Sequence, residues 1–444
     1  MALNPPAAGL MDRLRRRVPP ALHYPGYRAF WFGMLASVSG FQMLQFGQLW
    51  LMYQITGSPL SLGYVGLANA VPGIVLNLFG GVFADRLDQR RLIMVTQVTT
   101  TSLVFLLATL TSLGLVREWH ILAIAFSVGA VEAFNQPARQ SLYPHLIDRR
   151  ALVSAVALNS AVWQGTRIVA PAIAGAIIAL TGTAASFYLA GFGSAIMALI
   201  IFFLKVPPIA RASQGSPARS MWEGISFIGK NPVFAFLIGM TFFNSFFGMS
   251  YLIMMPVFAV DILKVGAEGQ GMLLSVGGVG ALLTSLWFGS RSNVPHRGLL
   301  MVGGAVLFGG LITTFALTSR FVGSFPLALV ILFLSGFANS TYMINVQSFL
   351  QILVPDRMRG RVMGFFGMTW SVMPLGGLQA GALATVITVP FAVAIGGLAV
   401  AAFALGPALF NPKVRNIGSL LLQSEREVSG TAGPQPKISA SADE

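Results

Sequence analysis

The stretch "FGGVFADRLDQRRLIM", Phe79 to Met94, poses the question that decides how this chain folds. Only 9% of the residues are Asp, Glu, Lys or Arg, yet Asp85, Arg86, Asp88, Arg90 and Arg91 crowd together between two long apolar runs. Of all 444 residues 55% are hydrophobic, and the mean hydropathy is +0.74. A soluble protein of this size needs far more charge to cover its surface. Apolar runs of about 20 residues fit a bilayer instead. The 49 Gly and 24 Pro fit it too, because neighbouring helices satisfy the backbone groups these residues free. The charged stretch therefore reads as a loop between two membrane spans.

Working outward from that loop, the hydropathy pattern predicts an all-α membrane protein of twelve transmembrane helices. They cover roughly 28–54, 60–84, 91–115, 120–146, 151–180, 184–205, 232–261, 268–290, 298–319, 325–354, 361–386 and 389–411. The expected organisation is an N-terminal segment 1–27, a six-helix bundle 28–206, a linker 207–231, a second six-helix bundle 232–411, and a disordered tail 412–444. The N-terminal segment is Pro-rich and basic and lacks the apolar core of a cleaved signal peptide. Of 28 Lys and Arg, only Arg117, Lys264 and Arg320 fall at the ends opposite the charged loop, and Arg139 and Arg167 fall inside spans. By the positive-inside rule the loop and both termini are expected in the cytoplasm, with the protein in the plasma or inner membrane.

Composition also excludes functions. The chain has no Cys, and its four His show no metal-ligand spacing, so no metal site or other cofactor is expected. The net charge of +14 lies in short loops between spans, so no nucleic-acid partner is implied. The linker contains "GISFIGKN", 224–231, near to a phosphate-binding loop, but Asn231 stands where Ser or Thr would hold magnesium and no strand precedes it. No nucleotide is expected as a partner. Met221, Trp222, Ile225 and Ile228 instead share a face of a short helix, expected to lie on the inner leaflet.

The two halves repeat at an offset of about 207 residues, pairing "SVGAVEAFNQPARQSLYPHLIDRR" with "LSGFANSTYMINVQSFLQILVPDR", so that Gly129 meets Gly336. Parallel repeats of this kind are the layout of a secondary transporter. Charged and polar residues inside spans need a reason, since a charge near the bilayer centre costs about 2.5–3.5 kcal/mol on insertion scales. Glu132, Gln136 and Arg139 share one face of span four beside Asn135, which suits a protonatable group in a pathway or a hydrogen-bonded brace between helices. Arg167 in span five can fix packing, pair with Glu132 or meet substrate. Gln42, Gln45 and Gln48 make a polar stripe on span one, and Asn339 and Tyr342 a polar face on span ten. Phe243, Phe247 and Tyr251, with Asn244, mark an aromatic face on span seven that suits a bulky solute or ordinary helix packing. Asp261 reads as a helix-end group.

The loop residues Gly81, Asp85, Arg86, Arg90 and Arg91 resemble the loop signature of the major facilitator superfamily, with Asp88 where a Gly is usual. The pieces "WLMYQITGSPLSLGYVGL" (50–67), "NQPARQSLYPHLI" (135–147), "ALNSAVWQGTRIVAPAIAG" (157–175) and "DRMRGRVMGFFGMTWSVMPLGG" (356–377) resemble its bacterial exporter branch. The resemblance implies two bundles rocking about a central cavity lined by the first and fourth helices of each half. It implies that Asp85 latches a cytoplasmic gate against span eleven. It also implies an antiporter-like motif at Ala170, Pro171 and Gly175, where Ala170 replaces the usual Gly. Acids common in relatives are Phe41 and Asn135 here, so any proton-carrying role has moved or been lost. The expected function is export of an amphipathic small molecule in exchange for protons, and not catalysis. Lipid or lysolipid movement on the same fold, or uptake without proton coupling, are the alternatives.

Overall fold

The computed structural model describes residues 19–86, 88–206, 217–291 and 296–410; side chains at 77–86, 217–222, 356–357 and 407–410 lie outside the description. Its described residues form helices and connecting turns, with no strand among them. The first half contains α1 (Pro25–Thr56), α2 (Pro59–Arg86), α3 (Gln89–Ser112), α4 (Glu118–Leu142), α5 (Leu152–Thr181) and α6 (Thr183–Phe203). A linker helix, Pro217–Lys230, leads into the second half. There α7 (Pro232–Ile262), α8 (Gly266–Gly289), α9 (Arg297–Phe321) and α10 (Phe325–Leu353) follow. Next comes α11, which runs from Asp356 to Ile387 through a 3-10 turn at Trp370–Val372, and last α12 (Val389–Phe410). Loops at one end carry most of the Lys and Arg; this end is called the basic face below.

Eleven of the described helices are by themselves long and apolar enough to cross a bilayer, and α1 falls outside that set. Its Gln42, Gln45, Gln48 and Gln54 dilute the hydropathy, but at 32 residues it is long enough to cross. Packing holds it in the bundle. Gly26, Gly33, Gly40 and Gly47 recur every seven residues and face Leu204, Met197, Ala190 and Phe187 of α6 and its C-terminal cap. A side chain at Gly40 would run into the Ala190 carbonyl, and one at Gly193 of α6 into the Ala36 carbonyl, so the two backbones meet directly. Close approach through small residues is how membrane helices associate without a hydrophobic driving force.

The repeat is visible in the packing. Gly129 of α4 abuts the Asn69 carbonyl of α2, and its repeat partner Gly336 of α10 abuts the Gly277 carbonyl of α8. In each half, then, the fourth helix lies backbone to backbone on the second. Between halves the contacts run through α2 with α11 and α5 with α8. Gly63 faces Leu378 and Gly381 faces Pro59; Gly175 faces Ala267, and Gly271 faces Pro171. All four lie toward the end opposite the basic face, where the two halves are pressed together.

Local contacts fix the linker and the charged loop. The linker helix docks on the second half: Glu223 pairs with Arg361 of α11 at 2.5 Å and Phe227 stacks on Phe234 of α7 at 5.3 Å. Asn231, the residue that spoils the phosphate-loop pattern, caps α7 by accepting from the Val233 amide at 3.0 Å. Within the opening stretch, Asp88 caps α3, accepting from the Arg91 amide at 3.0 Å. Arg90 donates from Nε to the Ile201 carbonyl at 3.0 Å and also to the Phe202 carbonyl, so it holds the start of α3 to the end of α6. Arg91 is exposed. The side chains of Asp85 and Arg86, together with Gly81 and the tail 412–444, lie outside the described residues.

Candidate functional site

A cavity of about 560 Å³ lies between the halves, nearer the basic face. Gln136 and Arg139 of α4, Asn159 and Trp163 of α5, Ser285 of α8 and Gln347 of α10 line it. Its walls thus come from both halves. The end opposite is shut by the glycine contacts described above and by a hydrogen bond from the Tyr53 hydroxyl of α1 to the Asp261 carboxylate of α7. Asp261 is therefore more than a helix-end group: it ties one half to the other across 208 residues of sequence.

Behind the cavity wall runs a polar chain. Both Glu132 oxygens accept from the Asn135 amide, at 2.9 and 3.1 Å. The Asn135 carbonyl accepts from Arg139 Nε at 3.2 Å and from Thr96 Oγ1 at 3.3 Å. Arg139 then donates to Ser37 Oγ at 2.7 Å, and Ser37 donates to Gln97 Oε1 at 2.9 Å. One amide therefore separates a carboxylate from a guanidinium, donating to the first and accepting from the second. An Asp at 135 would set two carboxylates one turn apart; with Asn there, the acid stands at 132 and Asn135 links it to Arg139. Asn135 is fully buried and Arg139 is 6% exposed, so charge and desolvation are balanced locally. The chain ties α4 to α1 and α3, and chemically it can gain or lose one proton at Glu132.

Arg167 does not join it. Its side chain is exposed on the α5 face that carries Val156, Ser160 and Trp163 into the cavity. It lies within electrostatic reach of the Tyr251 hydroxyl of α7. Of the three roles open to Arg167, pairing with Glu132 is not seen: both Glu132 oxygens are taken by the Asn135 amide. Gln42 and Gln45 are half-buried on α1 and are not among the residues lining this cavity, and Gln48 is fully buried. On span ten, Asn339 accepts from Asn244 of α7 at 3.1 Å, and Tyr342, with no exposed surface, donates to Thr241 at 3.4 Å. Both residues brace α7 against α10. Phe243, half-buried, stacks on Phe403 of α12 at 4.0 Å. Ala170 and Pro171 are buried; the Pro171 carbonyl and Gly175 meet α8.

The sequence reading missed Ser37 and Gln97, which complete the surroundings of Arg139, and Tyr53. Only the Gly40 spacing, which turns one α1 face toward α6, hinted that Ser37 points elsewhere. Removing the Tyr53 hydroxyl should loosen the closed end. A hydrogen bond to a charged acceptor contributes about 1 kcal/mol when, as at Asp261, solvent reaches it. Tyr53→Phe should then raise the population open at that end roughly fivefold. Labelling of a cysteine placed beside Asp261 measures it, and unchanged labelling would show that the glycine contacts alone keep the end shut.

The family model described as transmembrane secretion effector matches residues 20–433. The chain belongs to that family, within the major facilitator superfamily. Among curated proteins, this transporter is 26% identical over 355 residues to the multidrug efflux pump Tap of Mycolicibacterium fortuitum, which covers 76% of this chain and 83% of that one. It is 25% identical over 353 residues to the enterobactin exporter EntS of Escherichia coli O1:K1 / APEC, covering 77% and 81%. Among solved structures it is similar to a bacterial homolog of the human lysosomal transporter Spinster, in an inward-facing and unoccupied conformation. There the TM-score is 0.67 at 13% identity, covering 94% of this chain and all of that one. The protein is a multi-pass membrane transporter of the major facilitator fold, and not an enzyme.

Proposed function

We propose that this transporter is a secondary active exporter in the inner membrane, with both termini cytoplasmic, that moves an amphipathic small molecule outward in exchange for protons. The observation that carries this reading is the asymmetry of closure. The cavity lies toward the basic face, which charge distribution puts in the cytoplasm, while Tyr53–Asp261 and four glycine contacts shut the other end. This is the loading state of an exporter. In the alternate state the contacts of α2 with α11 and α5 with α8 part, and the basic ends close.

Glu132 is the proton-carrying group in this account. It is the acid placed beside the cavity wall, and its surroundings depend on α1, α3 and α4 staying in register. Rocking would change both its access to water and its distance from Arg139, so proton binding can follow the conformational cycle. The outward direction draws on the relatives named as an efflux pump and an exporter.

Everted vesicles containing the protein should accumulate at least one member of a panel of siderophores, macrolides and lipophilic drugs when an acid-inside gradient is imposed, and should lose it when the gradient is collapsed. Accumulation indifferent to the gradient would contradict the exchange. Orientation has a separate test, made clean by the absence of Cys. In intact cells, a cysteine beside Arg320 should react with an impermeant thiol reagent, and cysteines beside Arg86 or Arg357 should be protected. The reverse pattern would overturn the assignment of loading and release faces.

A further inference from the structure

Glu132 and Arg167 stand midway along α4 and α5, and Arg139 stands in the last turn of α4. Glu132 and Arg139 compensate each other through Asn135. Arg167 is left over. It stands midway along α5 (Leu152–Thr181), and no ion pair to it is found among the described residues. It also differs from Arg139 in exposure. Arg139 is 6% exposed and held by named acceptors, as a structural brace should be. Arg167 is exposed, on the stripe Val156, Ser160, Trp163 that forms one wall of the cavity, one turn beyond Trp163. A guanidinium kept midway along a spanning helix, exposed on the face that lines the cavity and with no ion pair among the described residues, has its charge balanced when an anion enters. The guanidinium fork matches a carboxylate or phosphate in two parallel hydrogen bonds. The Tyr251 hydroxyl of α7 lies within electrostatic reach of Arg167 and brings a polar group from the other half of the protein.

We propose that Arg167 and Tyr251 form an anion subsite at the deep end of the cavity, and that the exported solute is an amphipathic molecule bearing a carboxylate, phosphate or similar acidic group. This rests on the export reading and narrows its substrate class. Trp163 supplies an aromatic surface one turn from the charge, so the head group meets Arg167 and the apolar body lies along α5. The site draws on both halves, so bound anion would be felt by both as they rock.

A matched pair of probes tests the subsite without transport: 1-pyrenebutyrate and its uncharged methyl ester, titrated onto the purified full-length protein and read by energy transfer from tryptophan to pyrene. The acid should bind saturably to the wild type and at least tenfold more weakly to Arg167→Gln, with the ester binding the two alike. Arg167→Lys should retain most of the affinity for the acid, which separates loss of charge from loss of fold. Tyr251→Phe should weaken the acid severalfold and leave the ester unchanged. The subsite is overturned if the acid binds Arg167→Gln as tightly as the wild type, if acid and ester bind the wild type equally, or if the acid shows no saturable binding. None of these outcomes depends on vesicle accumulation, which decides the export reading by itself.

Discussion

Glu132→Gln is expected to abolish accumulation driven by a pH gradient, by a hundredfold or more, while leaving solute exchange across the membrane at equal pH. Gln keeps the shape and one carbonyl acceptor for the Asn135 amide, so the chain through Arg139 to Ser37 should persist. What disappears is the exchangeable proton. Coupling needs a group whose proton occupancy changes with conformation, and a variant fixed in one protonation state can still rock with solute but cannot be driven. The two assays use the same vesicles, so expression and folding are controlled internally. Undiminished accumulation by the variant would make Glu132 a brace and send the search for the proton site elsewhere, with Asp261 the next carboxylate to test.

The second large effect is expected at Gly175, where α5 meets the Ala267 carbonyl of α8. The obstruction there is backbone, which cannot turn aside as a side chain can. Gly175→Leu should destabilise the closed end by about 3 kcal/mol, more than a hundredfold in population. In the proposed cycle α5 and α8 part at this point when that end opens, so the cost falls on one conformation. The variant should therefore insert and fold, rest open at the face opposite the basic loops, and fail to complete a cycle. Cysteines at the inner end of the cavity should lose reactivity while those near Asp261 gain it. A variant that labels like the wild type would mean the α5–α8 contact is not part of the gate.

How much of this was legible in the sequence varies with the range of the interaction. The spans were, because hydropathy sums over about twenty residues and tolerates local exceptions. Even so, α1 belongs to the bundle through glycines spaced by seven, a pattern that reports backbone contact rather than apolarity. The start of α11 was placed near Arg361, whereas the helix begins at Asp356; its first turns carry charges that hydropathy reads as loop. The π turns of α7 at Asn244–Gly248 and Phe258–Ile262 were invisible, since such bulges are set by packing and function rather than by local propensity. Helical periodicity correctly put Glu132, Gln136 and Arg139 on one side of α4. It could not supply the partner, because Ser37 lies 102 residues away. For the same reason Tyr53 went unremarked and Asp261 was read as a helix end. Periodicity identifies a face; only the fold says whether it meets cavity, lipid or another helix, and it sets Phe243 on Phe403, Asn339 on Asn244 and Tyr342 on Thr241.

In the proposed cycle the two halves rock about the cavity and protonation of Glu132 biases the motion. Spin labels report it most directly, and the cysteine-free chain permits specific labelling. One pair, at Ser58 and Lys264, spans the halves at the closed end; another, at Arg149 and Arg291, spans them at the basic face. In lipid nanodiscs, changing pH should redistribute the two distances in opposite senses, one lengthening as the other shortens, and Glu132→Gln should remove the pH response from both pairs. Distances that do not change with pH, that change in the same sense, or that still respond in Glu132→Gln would contradict the account.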